Sequence, residues 1–544
     1  MRNCKDKLFE FQTADGFNAM KGNVITMEKS KIRTLANLIT ESAGEYGSNI
    51  FIKEIKGGEV AETTFAGFYE NVRRVAGYIQ KKKAEFGEMP SGKQLHGAVI
   101  GPSSSNWLTA WFGLAASGNV AVPLDAGLSC EDICDLLNRA DVSIFFYDKL
   151  YEKMIPAVKE NCPNVREYVC LADIYEVTGE CEPIELPKIS PSELAAIVYT
   201  SGTTGKSKGV MLLQSNYIDN TMCQDNESSP EDVVMSVLPI HHIYCFTCDI
   251  LCSLRYGANL CFNDSMLHIT KNLQVYKPTL MLIVPMIAET IYKQICAAHK
   301  TKPEIPVAAI AQNVFGGRLK TIYSGGAYLR PELQRAYLDM GFNMAQGYGM
   351  TECSPRISTA DPNDKECAGD VGVIVNGAAV KTEDGEIMVK SPSVMAGYYK
   401  DEAETAAALT PDGWLRTGDL GYVDDKNRIF ITGRKKNLII LSNGENVSPE
   451  ELENKFAGRE IIGEVLVYSD EGIIAAEIFP SPEASKSLSA EEIDEKIKEA
   501  VNDVNKSVSS SKKIHRIRVR ENEFPKTTSK KIKRNGAPEG RIIG

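Results

Sequence analysis

The chain has 544 residues, 43% hydrophobic and 24% charged, more than one core organises and typical of a globular protein with two or more domains. Its formal net charge of −11 argues against a general nucleic-acid binder. No long apolar core marks the first thirty residues as a secretory signal, and the most apolar stretch, Thr279 to Ala288, is too short to span a bilayer. A soluble cytoplasmic protein is expected, with its fourteen cysteines reduced.

Residues 1–30 have weak periodicity and read as an extension. From Thr64 the apolar positions Phe68, Val72, Val75 and Ile79 have helical spacing, and the strand Ala98-Val99-Ile100 follows. Ser105 or Asn106 should cap a helix carrying Trp107, Ala110, Trp111 and Leu114, ending by Gly118. A strand near Val120, a helix opened by Ser129 with Asp132 three residues on, and a strand from Val142 to Tyr147 continue the pattern. The alternation resumes through Val233 to Leu238, Ala258 to Phe262, Leu280 to Val284 and Thr321 to Tyr323. It predicts an α/β fold of βαβ-derived parallel sheets, whose ligands bind beyond the carboxyl ends of the strands. An apolar helix is expected from Phe246 to Leu254; the cysteines at 245, 248 and 252 read as core packing, with metal ligation the alternative. The last 110 or so residues read as a small α+β unit, with strands near Ile439, Val465 and Ile474 and helices over Pro449 to Ala457 and Ala490 to Val504.

One stretch carries most of the chemistry. The apolar run Ala195 to Tyr199 breaks into Thr200-Ser201-Gly202-Thr203-Thr204-Gly205-Lys206-Ser207-Lys208, a composition suited to wrapping N–H groups, hydroxyls and ammonium charge around a polyphosphate. It is not a Walker A loop, because Thr200 stands where that motif needs glycine. Further on come Leu238-Pro239-Ile240-His241-His242 after a strand, Ser324-Gly325-Gly326-Ala327 ending another, and Gly347-Tyr348-Gly349-Met350-Thr351-Glu352. In the last of these a tyrosine between glycines can lie on a purine, a threonine can donate to phosphate, and a carboxylate can hold magnesium. Then follow Gly413-Trp414-Leu415-Arg416-Thr417-Gly418-Asp419, Gly433-Arg434-Lys435-Lys436-Asn437, Ser442-Asn443-Gly444-Glu445 and Pro525-Lys526-Thr527-Thr528-Ser529-Lys530-Lys531.

In this order the motifs resemble those of the adenylate-forming superfamily, which holds acyl-CoA synthetases, firefly luciferase and peptide-synthetase adenylation domains. The resemblance covers roughly residues 31 to 534 and is strongest to fatty acyl-CoA synthetases. The chain departs from the family's Tyr-Thr-Ser-Gly-Thr-Thr-Gly-x-Pro-Lys-Gly at Ser207, and from its Pro-Lys-Thr-x-Ser-Gly-Lys at Lys530. The resemblance implies an N-terminal extension over 1–30, a large domain over 31–433, a hinge at 434–437 pivoting on Lys436, and a small mobile C-terminal domain over 438–544. It implies ATP, Mg2+ and a thiol acceptor, either CoA or the phosphopantetheine of an acyl carrier protein. Thr200, Ser201, Gly202, Thr203, Thr204, Gly205 and Lys208 would hold phosphates, with Thr203 and Glu352 at the magnesium. Gly325, Gly326, Ala327, Gly347, Tyr348, Gly349 and Thr351 would surround the nucleotide, Asp419 its ribose, and Arg434 the ribose or α-phosphate. Lys531 would act in adenylation, His242 would gate the acyl pocket, and Gly444 would face the thiol.

The expected activity is ATP-dependent conversion of a carboxylic acid, most simply a medium- or long-chain fatty acid, to its acyl-adenylate and then a CoA thioester. Loading of a carrier protein, an aryl acid, or a non-catalytic ATP sensor are the alternatives. The His241-His242 run offers no acidic partner for a substrate ammonium, which disfavours amino acids. Ten basic residues from Lys512 to Arg534 stand against only Glu521 and Glu523, and Arg516, Arg518 and Arg520 alternate with Ile517 and Val519. On a strand they would form one basic face suited to CoA phosphates or an acidic carrier protein.

Overall fold

The computed structural model describes residues 31–200, 207–225, 228–366, 369–441, 445–526, 532–534 and 536–544. By internal contacts the chain forms two compact units, one of residues up to 380 with 389–416 and 425–428, the other of 381–388, 417–424 and 429–544. The expected extension over 1–30 lies outside the described residues.

The first unit contains two sheets built from the expected alternation. In the seven-stranded sheet, Glu167–Cys170, Ile144–Tyr147, His96–Ile100, Val120–Leu124 and Leu194–Thr200 run in that spatial order, all parallel. The register His96 to Val120 and onward leaves every residue of both strands buried, as a sheet covered on both faces requires. At one edge the sheet turns antiparallel: Lys208–Leu213 pairs with Leu194–Thr200, and Gly397–Tyr398 pairs with Lys208–Leu213. The other sheet has nine strands among the described residues, with a parallel centre of Ile50–Lys56, Asn259–Phe262, Val233–Ser236, Leu280–Ile283, Thr321–Ser324 and Asn343–Gly349.

The helices begin where short polar side chains can accept the first free N–H groups. Thr64 caps Phe65–Phe86, and Ser129 caps Cys130–Arg139 with its hydroxyl accepting from Asp132 N. Ser104 caps Ser105–Ala115, accepting from Trp107 N, one residue before the expected position. The expected Phe246 to Leu254 helix opens differently: Cys245–Leu251 is a π-helix that continues as the α-helix Cys252–Tyr256. Cys245 and Cys252 are buried, and no group of metal-ligating side chains occurs among the described residues.

Aromatic rings fasten this helix to Ser105–Ala115. Trp111 lies 4.0 Å from the Phe246 ring centroid, 5.2 Å from Phe112 and 5.7 Å from Tyr217, and is 1% exposed. Such clustering stabilises beyond the area it buries.

The second unit is smaller. It takes residues 386–388 of the strand Glu386–Lys390, 417–423 of Leu415–Val423, and all of Ile429–Arg434, then the sheet Ile462–Asp470, Ile473–Pro480, Arg516–Val519 and Arg541–Ile542. Ala490–Lys506 opens with a Ser489/Glu492 capping box and buries Ile493, Ile497, Val501 and Val504. Ile517 and Val519 share that core.

Trp111→Ala should destabilise the first unit by about 3–5 kcal/mol, the usual cost of truncating a buried aromatic. The urea midpoint of the transition that reports this unit is expected to fall with little change in slope.

Candidate functional site

The described ends of the Ser/Thr/Gly loop are fixed by the antiparallel ladder, which sets Thr200 opposite Lys208 and Tyr199 opposite Gly209. Thr203 and its neighbours from Ser201 to Gly205 lie outside the described residues. The Lys208 ammonium is ion-paired to Glu404 and stands 5.0 Å from the Tyr398 ring centroid. The Tyr398 hydroxyl donates to Glu352 Oε1 at 2.8 Å. Burial, and then the Glu352 charge, push the Tyr398 phenol far above its ordinary range, so it stays a donor. Lys208 and Glu352, two expected phosphate and magnesium residues, are thereby linked through one tyrosine ring. Neither Tyr398 nor Glu404 was visible as a site residue in the sequence; the only hint was Gly397-Tyr398 leading into the Asp401-capped helix Glu402–Ala408.

Glu352 stands on the 3₁₀ turn Thr351–Cys353, directly after Asn343–Gly349. Its carbonyl accepts from Met395 N at 2.9 Å, tying the turn to the segment before Tyr398. A side chain at Gly349 would meet the Pro355 carbonyl oxygen at 2.1 Å, so glycine is required there by close approach. Tyr348 is half-buried. At Gly325 the group that comes close is the protein's own Tyr244, whose ring would lie 3.0 Å from an added Cβ; Gly326 has φ +78°. Beside this turn the buried Ser324 Oγ and, on the paired strand, Gln346 Nε2 have no partner among the described residues. Polar atoms left this way at the carboxyl ends of parallel strands suit a ligand's heteroatoms, and the residues present fit a nucleotide.

His242 is half-buried, its Nδ1 accepting from Tyr244 N at 3.2 Å. His241 stands 3.6 Å from Asp125; burial lowers its pKa against the pull of that carboxylate, which favours the neutral ring. The expectation that no acid stands near this run needs correction. Asp249, on the π-helix, is fully buried, and accepts from Ser236 Oγ at 2.8 Å through Oδ2, while its Oδ1 has no partner among the described residues. Burial pushes its pKa up to about 7, only partly opposed by the hydrogen bonds from Ser236 and Cys245.

In the second unit Asp419 and Arg434 are paired across the ladder, with Arg434 Nε 2.7 Å from Asp419 Oδ1. Glu386 accepts from Gly418 N at 3.0 Å and from Lys435 Nζ at 2.8 Å. Lys436 lies on the 3₁₀ turn Lys435–Asn437, its pKa lowered by burial and then by the neighbouring Arg434 charge. Gly444, Lys530 and Lys531 lie outside the described residues.

The expected free basic face is not present. Arg516 pairs with Asp470 at 2.8 Å and Glu471 at 2.9 Å, and Arg518 with Asp470 at 3.1 Å. Arg520 is buried, 6% exposed, and pairs with Glu477 at 3.2 Å and Glu539 at 2.5 Å. The alternation itself is real, with Ile517 and Val519 buried, but acids from the adjacent hairpin and the C-terminal segment neutralise the row.

Comparison with known proteins accounts for this arrangement. The AMP-binding enzyme model matches residues 39–399, and the AMP-binding enzyme C-terminal domain matches 436–539. A long-chain-fatty-acid–CoA ligase, FadD15, of Mycobacterium bovis is 26% identical over 87% of this chain and 91% of its own. A 4-coumarate–CoA ligase of Pinus taeda is 31% identical over 83% of this chain and 82% of its own. In fold the chain resembles the anthranilate CoA ligase AuaEII solved with anthranoyl-AMP, with a TM-score of 0.77 at 17% identity over 93% of this chain and 97% of that one. The chain belongs to the AMP-binding enzyme family. It is an adenylate-forming enzyme, an AMP-forming acid–thiol ligase of the acyl-CoA synthetase type. No described helix is long and apolar enough to cross a membrane.

The Asp249 shift has a definite sign. Its folded pKa of about 7 lies above the ordinary 3.8, so the folded state holds a proton that the unfolded state releases between these values. That stabilisation is complete below the unfolded value and is lost as pH rises through about 7. Asp249→Asn should therefore gain stability relative to the parent from about pH 5 to pH 8. Parallel denaturation curves with a constant difference across that range would contradict the assignment.

Proposed function

We propose that the chain joins a medium- or long-chain fatty acid to CoA through an acyl-adenylate. The Lys208–Tyr398–Glu352 linkage is the observation that carries the catalytic part of this reading. It sets a cation and a magnesium-type carboxylate around one ring, beside the described ends of a loop with phosphate-binding composition. The acid is inferred from the relatives named as long-chain-fatty-acid–CoA ligases. A second reading, an aryl acid, draws on 4-coumarate–CoA ligases at 31% and 32% identity.

In the proposed reaction a carboxylate oxygen attacks the α-phosphorus of ATP and pyrophosphate leaves. The thiol sulfur of CoA then attacks the acyl carbon, AMP leaves with the original carboxylate oxygen, and the thiol proton passes to solvent. Thr200 to Lys208 would hold the β- and γ-phosphates, Tyr348 the adenine, and Asp419 with Arg434 the ribose side. Thr203 and Glu352 would hold Mg2+, which neutralises phosphate charge during transfer. Lys531 would bridge the carboxylate and the α-phosphate. Lys436 is the proposed pivot between the two half-reactions, and Gly444 the proposed neighbour of the thiol.

ATP–pyrophosphate exchange across a panel of acids tests this reading. Exchange is expected with C8 to C18 fatty acids and not with amino acids; exchange with 4-coumarate alone would select the aryl reading. Lys531→Ala should lower the exchange rate about a hundred- to a thousandfold and spare thioester formation from supplied acyl-adenylate. The same loss in Lys530→Ala, with Lys531→Ala active, would move the role by one residue.

A further inference from the structure

Ser207 closes the phosphate loop where the family pattern has proline, so the backbone there lacks the ring that would fix it. A different device occupies the place. Arg139, the last residue of Cys130–Arg139, donates from Nη2 to the Ser207 carbonyl at 2.5 Å and from Nη1 to Ser207 Oγ at 3.4 Å. The same guanidinium lies 5.3 Å from the ring centroid of Tyr199, on the strand that enters the loop. One side chain thus touches both described ends of the loop.

One further contact holds the guanidinium in place, and others brace the groups around it. Asp135, one turn earlier, accepts from Nη1 at 3.1 Å. The Tyr199 ring lies against Gly209, where an added Cβ would stand 3.2 Å from it, so arginine, ring and backbone stack in sequence. Beyond the helix, Asp141 accepts from the Tyr399 hydroxyl at 2.6 Å and from Lys400 Nζ at 2.6 Å, while Tyr399 N donates to the Gly209 carbonyl at 2.8 Å. The segment 139–141 therefore braces the loop from both of its arms and from the neighbouring strand.

The geometry points to Arg139 as a positioning residue for nucleotide binding, one that clamps Tyr199 to Ser207 and holds the ladder end at Thr200 and Lys208 ready for the polyphosphate. A guanidinium suits the task because its several N–H groups reach the Ser207 carbonyl, the Ser207 hydroxyl and Asp135 at once while its carbon lies over the Tyr199 ring, a spread that the single nitrogen of an ammonium does not cover. This inference rests on the loop's proposed role in holding ATP.

The test uses the full chain with Arg139→Ala, Arg139→Lys, Ser207→Pro and the double change Arg139→Ala with Ser207→Pro. Hydrogen exchange of the segment 199–209, measured without ATP, should quicken in both Arg139 variants and be restored in the double change. In pyrophosphate exchange, KM for ATP should rise about tenfold in Arg139→Ala, with KM for the acid nearly unchanged. Proline at 207 should recover most of that rise, because fixing φ supplies order that the arginine otherwise provides. Unchanged hydrogen exchange in both Arg139 variants would overturn the clamp. Equal losses toward ATP and acid, without rescue by proline, would reduce Arg139 to general packing and overturn the positioning role. If the parent protein exchanges no pyrophosphate, the nucleotide reading fails, and the hydrogen-exchange arm still decides the clamp.

Discussion

The candidate site in the first unit depends on the antiparallel register at the edge of an otherwise parallel sheet, where Thr200 is set opposite Lys208. A parallel continuation would carry the chain away through a crossover helix and leave the loop with one fixed end. Antiparallel pairing returns the chain at once, so both ends of residues 201–207 are held on neighbouring strands at the sheet's carboxyl edge. The next strand, Gly397–Tyr398, pairs with the returning strand and brings the Tyr398 ring to Lys208 and its hydroxyl to Glu352. Ladder order, rather than proximity in sequence, assembles these groups.

Charge sets the second constraint. Lys208 would be costly to half-bury unpaired, and Glu404 supplies its counter-charge. The same economy governs the second unit, where Asp419 meets Arg434, Glu386 meets Lys435, and the arginines of Arg516–Val519 meet Asp470, Glu471 and Glu477. Asp249 differs: with no cation acting on it among the described residues, burial favours a proton on the carboxyl.

Much of this was legible in the chain, and the remainder was hidden for physical reasons. Helical spacing located Phe65–Phe86, a serine three residues before Asp132 located the start of Cys130–Arg139, and the ordered motifs identified the family. Alternation records which residues are buried but not which strand lies alongside, so the antiparallel pairing of the strands flanking the loop could not be read. Cys245–Leu251 has the apolar composition of any buried helix, and its π geometry follows from its neighbours. Lys208 and Glu404 are 196 residues apart, and no local periodicity reports a pair formed by chain return. The run 512–534 reads as a free basic face because the acids that pair its arginines, Asp470, Glu471, Glu477 and Glu539, lie outside it in sequence. Arg139 gave no sign beyond being a cation in the last turn of a helix, where the dipole alone would favour it.

The central claim is that the carboxylate itself attacks the α-phosphorus and that its oxygen leaves with AMP. Incubation of an acid labelled with 18O in both carboxylate oxygens, with ATP and CoA, followed by mass spectrometry of the nucleotide, tests that step directly. The account predicts AMP carrying one 18O, formed in proportion to thioester, together with unlabelled pyrophosphate. ADP with labelled inorganic phosphate, or AMP without label, would contradict it.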